Sequence, residues 1–137
     1  LPKYNFRLFP HQYRKPLSVI LKHRGMAYFA QNDFENALCD FKKSFEFDKN
    51  SFRSAYYVGI VLSIKKDYEE AVKWFTKSLE INEIQSHAFY RRAVSYFEIG
   101  EFEKSMNDVV AAEKLGLEDS GLETLHSKLI EKFDMKM

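Results

Sequence analysis

The sequence repeats itself at a fixed interval. Gly25, Gly59 and Ala93 lie 34 residues apart, and the same step separates Ala37, Ala71 and Ser105, then Phe41, Phe75 and Val109, then Ser44, Ser78 and Ala112. A polar residue followed by an aromatic falls between these anchors each time, as Asp33-Phe34, Asp67-Tyr68 and Glu101-Phe102. A period of this length marks an array of supersecondary units, none of which buries its apolar face alone. Three stacked units are expected, with a different element at each end.

Within a unit, the apolar spacing predicts two helices. The first helix of the first unit covers about 17–31, with Ile20, Leu21, Ala27 and Tyr28 as its packed stripe. Asn32, Lys66 and Gly100 share the turn position, where a left-handed backbone is tolerable and Gly fits best. Asp33, Asp67 and Glu101 follow as caps or first-turn acids. Second helices are expected over about 34–47, 68–81 and 102–115. Antiparallel helices approach to about 8–10 Å only where the crossing side chains are short, which places Gly25 against Ala37 and Gly59 against Ala71. Phe41 and Phe75 fill the space one turn further on. Val109 has less volume, so the third hairpin is expected to pack more loosely. Trp74 takes the place of Asp40 and Asp108 in the flanking units, a position expected near the edge of the packed face. Ser120-Gly121 breaks the pattern. Beyond it Leu122, Leu125, Leu129, Ile130 and Phe133 share one face of an amphipathic seventh helix over about 120–134, expected to cover the last hairpin.

A 34-residue unit with a small residue at its eighth position, an aromatic or large residue at its eleventh, Ala near its twentieth and Phe at its twenty-fourth resembles the tetratricopeptide repeat. The resemblance divides the chain into an arm over 1–17, three repeats over 18–51, 52–85 and 86–119, and a capping helix over 120–137. It implies an all-α fold, a right-handed superhelical solenoid of three antiparallel helix hairpins with a seventh capping helix, whose first helices line a concave groove that binds proteins or peptides. The family's groove positions are the second, fifth, sixth, ninth and twelfth of each repeat. In this sequence they fall on Val19, Lys22, His23, Met26 and Phe29; on Arg53, Tyr56, Tyr57, Ile60 and Ser63; and on His87, Tyr90, Arg91, Val94 and Phe97. That set is aromatic and basic, without Asp or Glu. Arg holds a carboxylate through two parallel hydrogen bonds, and Tyr offers apolar area with a polar tip. The expected ligand is an acidic segment or a free carboxyl terminus with an apolar neighbour, held by an adaptor or scaffold. Family members that grip heat-shock chaperone tails use Lys and Asn in the first repeat, Asn in the second, and Lys and Arg in the third. Lys22 and Arg91 match, whereas Met26, Tyr57 and His87 do not, so a chaperone carboxyl terminus meets an incomplete clamp. Two alternatives stay open: a structural spacer or self-association unit whose groove holds its own arm or a second copy, and a non-catalytic targeting module of a larger enzyme or co-chaperone.

The remaining features narrow the chemistry. The net charge of +1 argues against nucleic acid. Residues 1–17 nevertheless carry Lys3, Arg7, Arg14 and Lys15 without an acid, leaving −3 for the remainder. Pro2, Pro10 and Pro16 predict an extended or briefly turned arm there, with Tyr4, Phe6, Phe9 and Tyr13 as apolar handles that cover the first hairpin or await a partner. No apolar run approaches the roughly 20 residues that span a bilayer, and the arm does not read as a secretory signal. One cysteine suits a reducing compartment, and a cytoplasmic or nuclear setting is expected. The first residue is Leu rather than Met, as expected of a fragment or processed form. His23 and His87 belong to different layers and His11 and His126 to opposite ends, so no metal site, cofactor or catalysis is expected. Cys39 is expected as a packed small residue.

Overall fold

The computed structural model describes residues 10–135. Tyr4, Phe6 and Phe9 of the arm therefore lie outside the described residues. Among those described, seven α-helices follow one another: α1 (Arg14–Ala30), α2 (Phe34–Phe47), α3 (Phe52–Ile64), α4 (Tyr68–Ile81), α5 (Ser86–Glu98), α6 (Phe102–Lys114) and α7 (Ser120–Asp134). Helices α1 with α2, α3 with α4, and α5 with α6 form hairpins; α2 packs on α3, α4 on α5, and α6 on α7.

A short 3-10 turn at His11–Tyr13 precedes α1, which starts at Arg14, about three residues earlier than expected. Pro16 is its third residue. The first N–H groups of a helix have no intrahelical partner, so the proline costs the helix no bond. The interhelical turns use the anticipated left-handed residues, with φ of 60° at Asn32, 65° at Lys66 and 82° at Gly100. Gly116, at φ 85°, ends α6 in the same way. Of the three expected caps, only Asp33 accepts a backbone N–H, from Asn36; Asp67 and Glu101 make no side-chain cap bond.

The hairpin crossings are tighter than the small residues alone suggested. A Cβ on Gly25 would lie 2.7 Å from Cε1 of Phe41, and one on Gly59 would lie 2.6 Å from Cε1 of Phe75. Each glycine makes room for its partner's phenylalanine ring. In the third repeat the pair becomes Ala93 and Val109, both fully buried. The methyl that Ala93 adds compensates for the smaller Val109, so nothing marks this hairpin as the looser one expected. Ser44 Oγ donates to the carbonyl of Ser18 at 2.7 Å, and Ser78 Oγ donates to that of Phe52 at 2.8 Å. These bonds tie the end of α2 to the start of α1 and the end of α4 to the start of α3. Two apolar cores result. Phe41, Val58, Val61 and Phe75 anchor the one shared by the first two repeats; Val109, Leu122, Leu125 and Leu129 anchor the one shared by the third repeat and α7.

Several expectations about facing are corrected. Leu21 is buried and Tyr28 half-buried, but Ile20 and Ala27 are exposed, and the buried residues of α1 are Ser18, Leu21 and Gly25. On α7, Ile130 is exposed while Leu122, Leu125 and Leu129 are buried. Cys39 is exposed on α2 rather than packed. Trp74 is half-buried, near the edge as expected, but the same position is closed in the flanking repeats. Its counterparts Asp40 and Asp108 are buried, each gripped by an arginine through Nε and Nη2: Arg24 at 2.6 and 2.8 Å, Arg92 at 2.7 and 2.8 Å. The second repeat replaces the ion pair with Val58 and Trp74, the latter set edge-on to Phe45 with ring centroids 5.4 Å apart. Burial works against the Arg92 cation, but the hydrogen bonds and charge of Asp108 outweigh it and hold its pKa above the ordinary value. Burial also lifts the Asp108 carboxyl above its usual range, and Arg92 offsets only part of that rise. Such pairs carry a desolvation penalty that apolar residues avoid; the second repeat has taken the apolar solution.

Candidate functional site

The first helices α1, α3 and α5 present the expected groove positions, and three cavities show how these residues combine. The first, of about 290 Å³, is lined by Met26 and Phe29 of α1, Phe41 of α2, Tyr56, Tyr57 and Ile60 of α3, and Arg91 of α5. The second, of about 390 Å³, shares Tyr56 and Tyr57 and adds Phe52, Arg53, Ala88 and His87, with Ile84 and Gln85 from the α4–α5 loop. The third, of about 330 Å³, lies between α5 and α7, bounded by Tyr90, Val94, Phe97, Thr124, Leu125 and Lys128 among others.

The tyrosines serve core and cavity together. Tyr57 stacks on Phe41 with centroids 5.0 Å apart, Tyr56 meets Tyr57 edge-on at 5.7 Å, and Tyr56 lies 5.8 Å from Phe75. Their rings are thus fixed by the hydrophobic core. Burial raises the pKa of the Tyr56 phenol, an effect partly offset by the charge of Arg91 and a hydrogen bond to it. Arg91 is exposed, with its guanidinium 5.8 Å from the Tyr90 ring centroid. The first cavity is therefore a largely apolar recess with one cation, Arg91, in its lining beside the phenol of Tyr56.

Of the groove residues named from the sequence, Met26, Tyr56, Tyr57, Ile60 and Arg91 meet in the first cavity, Arg53 and His87 in the second, and Tyr90 and Val94 in the third. Lys22 and His23 lie on α1 outside all three. Register reasoning stopped one step short at the far end. Helix α7 begins at Ser120, 34 residues after Ser86, which begins α5. The same step from His87, Tyr90, Arg91 and Val94 gives Gly121, Thr124, Leu125 and Lys128, and all four line the third cavity. The capping helix thus supplies a fourth wall of the groove. Among the described residues no three His, Cys, Asp or Glu side chains are grouped to hold a metal ion, and no helix is long and apolar enough to cross a membrane.

Comparison with known proteins matches residues 53–85 to the tetratricopeptide repeat family model. That match spans one of the three helix hairpins. The fold is that of a tetratricopeptide-repeat solenoid. It has three repeats and a seventh, capping helix. Its sequence is 26% identical over 95 residues to the mitochondrial import receptor subunit TOM70 of Saccharomyces cerevisiae, an alignment covering 69% of this chain and 15% of that protein. The domain therefore corresponds to a small part of that relative's length. Its fold matches the C-terminal TPR-containing domain of a Plasmodium falciparum FK506-binding protein with a TM-score of 0.87, at 15% identity, covering 96% of this chain and 98% of that one. It also matches the first TPR domain of Spaghetti (RPAP3), a structure bound to the HSP90 peptide SRMEEVD, with a TM-score of 0.84 at 17% identity, covering 88% and 95% of the two chains.

Proposed function

We propose that this tetratricopeptide domain is a non-catalytic protein-interaction module, an adaptor that holds an acidic segment of another protein in the groove of α1, α3, α5 and α7. The carrying observation is the first cavity, an apolar recess whose lining includes Arg91 and no acidic residue. An apolar ligand side chain fills the recess, and Arg91 takes the neighbouring carboxylate; Arg53 and His87 offer a second anionic contact across the Tyr56–Tyr57 wall. Tyr90 adds apolar contact, and Lys22 assists from the rim. A recess of about 290 Å³ suits one or two side chains better than a drug-sized molecule, for which pockets run from roughly 300 to 1,000 Å³. The Spaghetti domain, solved with an acidic chaperone peptide, supports this reading. Met26 and Tyr57 stand where chaperone-binding relatives carry Asn, and both line the recess, so it favours an apolar side chain over a terminal carboxylate oriented by amides. The lone cysteine keeps a cytoplasmic setting as the natural environment for such an adaptor.

The test is fluorescence polarisation with internal acidic peptides and free carboxyl-terminal peptides at two salt concentrations. Arg91→Glu should weaken binding by roughly 10- to 100-fold, the loss expected for charged hydrogen bonds, with an unchanged denaturation midpoint because Arg91 is exposed. Phe75→Asp should instead unfold the chain, since Phe75 is fully buried. Equal loss of stability in both variants, or binding indifferent to Arg91→Glu, would sink the assignment.

A further inference from the structure

The three first helices can be compared position by position, and one face differs sharply. On α3, Ser54, Val58 and Val61 are completely buried; on α5, so are Ala88 and Ser95. Helices α2 and α4 cover those faces, with Ser44 of α2 hydrogen-bonded to Ser54 at 2.7 Å and Thr76 of α4 accepting from Nη1 of Arg92 at 3.1 Å. The same register on α1 reads Ile20, Arg24 and Ala27. Ile20 is 62% exposed, Ala27 is exposed, and the Arg24 side chain is 36% exposed.

Arg24 makes the interaction sharper. It grips Asp40 through Nε and Nη2 as Arg92 grips Asp108. Arg92 has the further Nη1 bond to the preceding helix, where Glu80 also adds its charge. Arg24 has no counterpart to that bond among the described residues. Of the cations of α1, Arg24 is the one that shares the register of this face, and α1 contains no acidic residue. Ala27 keeps the face low enough for another helix to approach.

We propose that this open face of α1 is a second docking surface, separate from the groove, and that it takes an acidic amphipathic helix of a partner protein. The helix sits as α4 sits on α5, its apolar stripe over Ile20 and Ala27 and a hydroxyl or carboxyl side chain on Nη1 of Arg24.

The test titrates the isotope-labelled 137-residue chain with a stapled helical peptide copying residues 68–81, the α4 sequence, and follows backbone amide shifts. Saturable shifts are expected at Ile20, Arg24 and Ala27. They should vanish in the Ile20→Asp, Ala27→Glu double variant without a change in melting temperature, and persist in Arg91→Glu. A peptide with its three glutamates changed to lysine should bind at least tenfold more weakly. Absence of shifts at millimolar peptide would overturn the proposal, as would shifts confined to the groove or equal binding of the lysine peptide. Shifts that appear only after deletion of residues 1–9 would also overturn it, since the chain's own segment would then be the occupant.

Discussion

The crossing of α3 and α4 offers a quantitative test of how the repeats pack. A methyl added at Gly59 would meet the Phe75 ring at 2.6 Å, well inside contact distance. The ring is fully buried and backed by Tyr56, so it has little room to retreat. Alanine in a helix interior is favoured over glycine by about 1 kcal/mol. Overpacking a filled site costs about 1–3 kcal/mol, so Gly59→Ala alone should destabilise the domain by about 1 kcal/mol net. The third repeat carries the alternative solution, Ala93 with Val109. Phe75→Val alone should cost about 2–3 kcal/mol, somewhat less than the 3–5 kcal/mol of a buried Phe→Ala change. In that background Gly59→Ala should become stabilising by about 2 kcal/mol, from helix propensity together with about 0.8 kcal/mol for the newly buried methyl. The cycle then closes with a coupling of about 3 kcal/mol, at the upper end for residues in contact. Urea denaturation of the four proteins measures it directly. If Gly59→Ala stabilised both backgrounds equally, the glycine would be present for some reason other than the ring, and the account of the crossings would fail.

The buried ion pairs should differ in sensitivity. Asp108→Asn leaves Arg92, whose side chain is 16% exposed, and should cost about 3–5 kcal/mol, the loss typical of a broken buried pair. Asp40→Asn should cost distinctly less, because Arg24 is more exposed and water screens it; equal midpoint shifts in urea would contradict this. At the turns, Lys66→Gly should stabilise by about 1 kcal/mol, since glycine adopts φ near 65° without the penalty a side chain meets, and thermal melting reads the gain. Tyr56 supplies a pH prediction. Its phenol pKa is raised in the folded state by burial, against a smaller lowering by Arg91. The unfolded chain therefore ionises first, and the contribution of Tyr56 to stability is present below about pH 10, its unfolded value, and is lost as pH rises through the folded value. Difference absorbance titration against Tyr56→Phe should show its ionisation moving higher in Arg91→Gln; a downward move would separate the two groups.

The fold was legible because the period exposed it. Gly25, Gly59 and Ala93 mark the crossings, and Asn32, Lys66 and Gly100 mark the turns, as local backbone geometry requires. Errors arose where a residue's environment depends on what stands next to its repeat. Ile20 and Ala27 look like core by spacing, but that spacing is satisfied in α3 and α5 by a preceding second helix, and no described helix precedes α1. Asp40 and Asp108 looked peripheral because they are charged. Their partners Arg24 and Arg92 sit 16 residues upstream in both cases, a pairing that the register contains but hydropathy hides.

The groove shows the same division between register and assembly. Register placed each residue on the correct helix, yet convergence depends on how far neighbouring first helices are apart and on which side chains the core immobilises. Tyr57 is held by stacking on Phe41, and Tyr56 by Tyr57 and Phe75. Arg91 of α5 lines the same recess, where its charge bears on the Tyr56 phenol. The recess thus brings a phenol and a cation together from two different repeats, whereas Lys22 and His23, about one turn before Met26 on α1, remain outside it. The same logic extends the groove to α7, where Lys128 occupies the register position of Val94 and Thr124 that of Tyr90. A ligand long enough to leave the apolar recess and pass Tyr90 therefore meets a more polar surface containing Glu98 and Lys128. Selectivity along such a ligand should change in character from apolar at α1–α3 to polar at α5–α7, and peptides with the acidic–apolar pair near their α1–α3 end should bind more tightly than the same residues in reversed order.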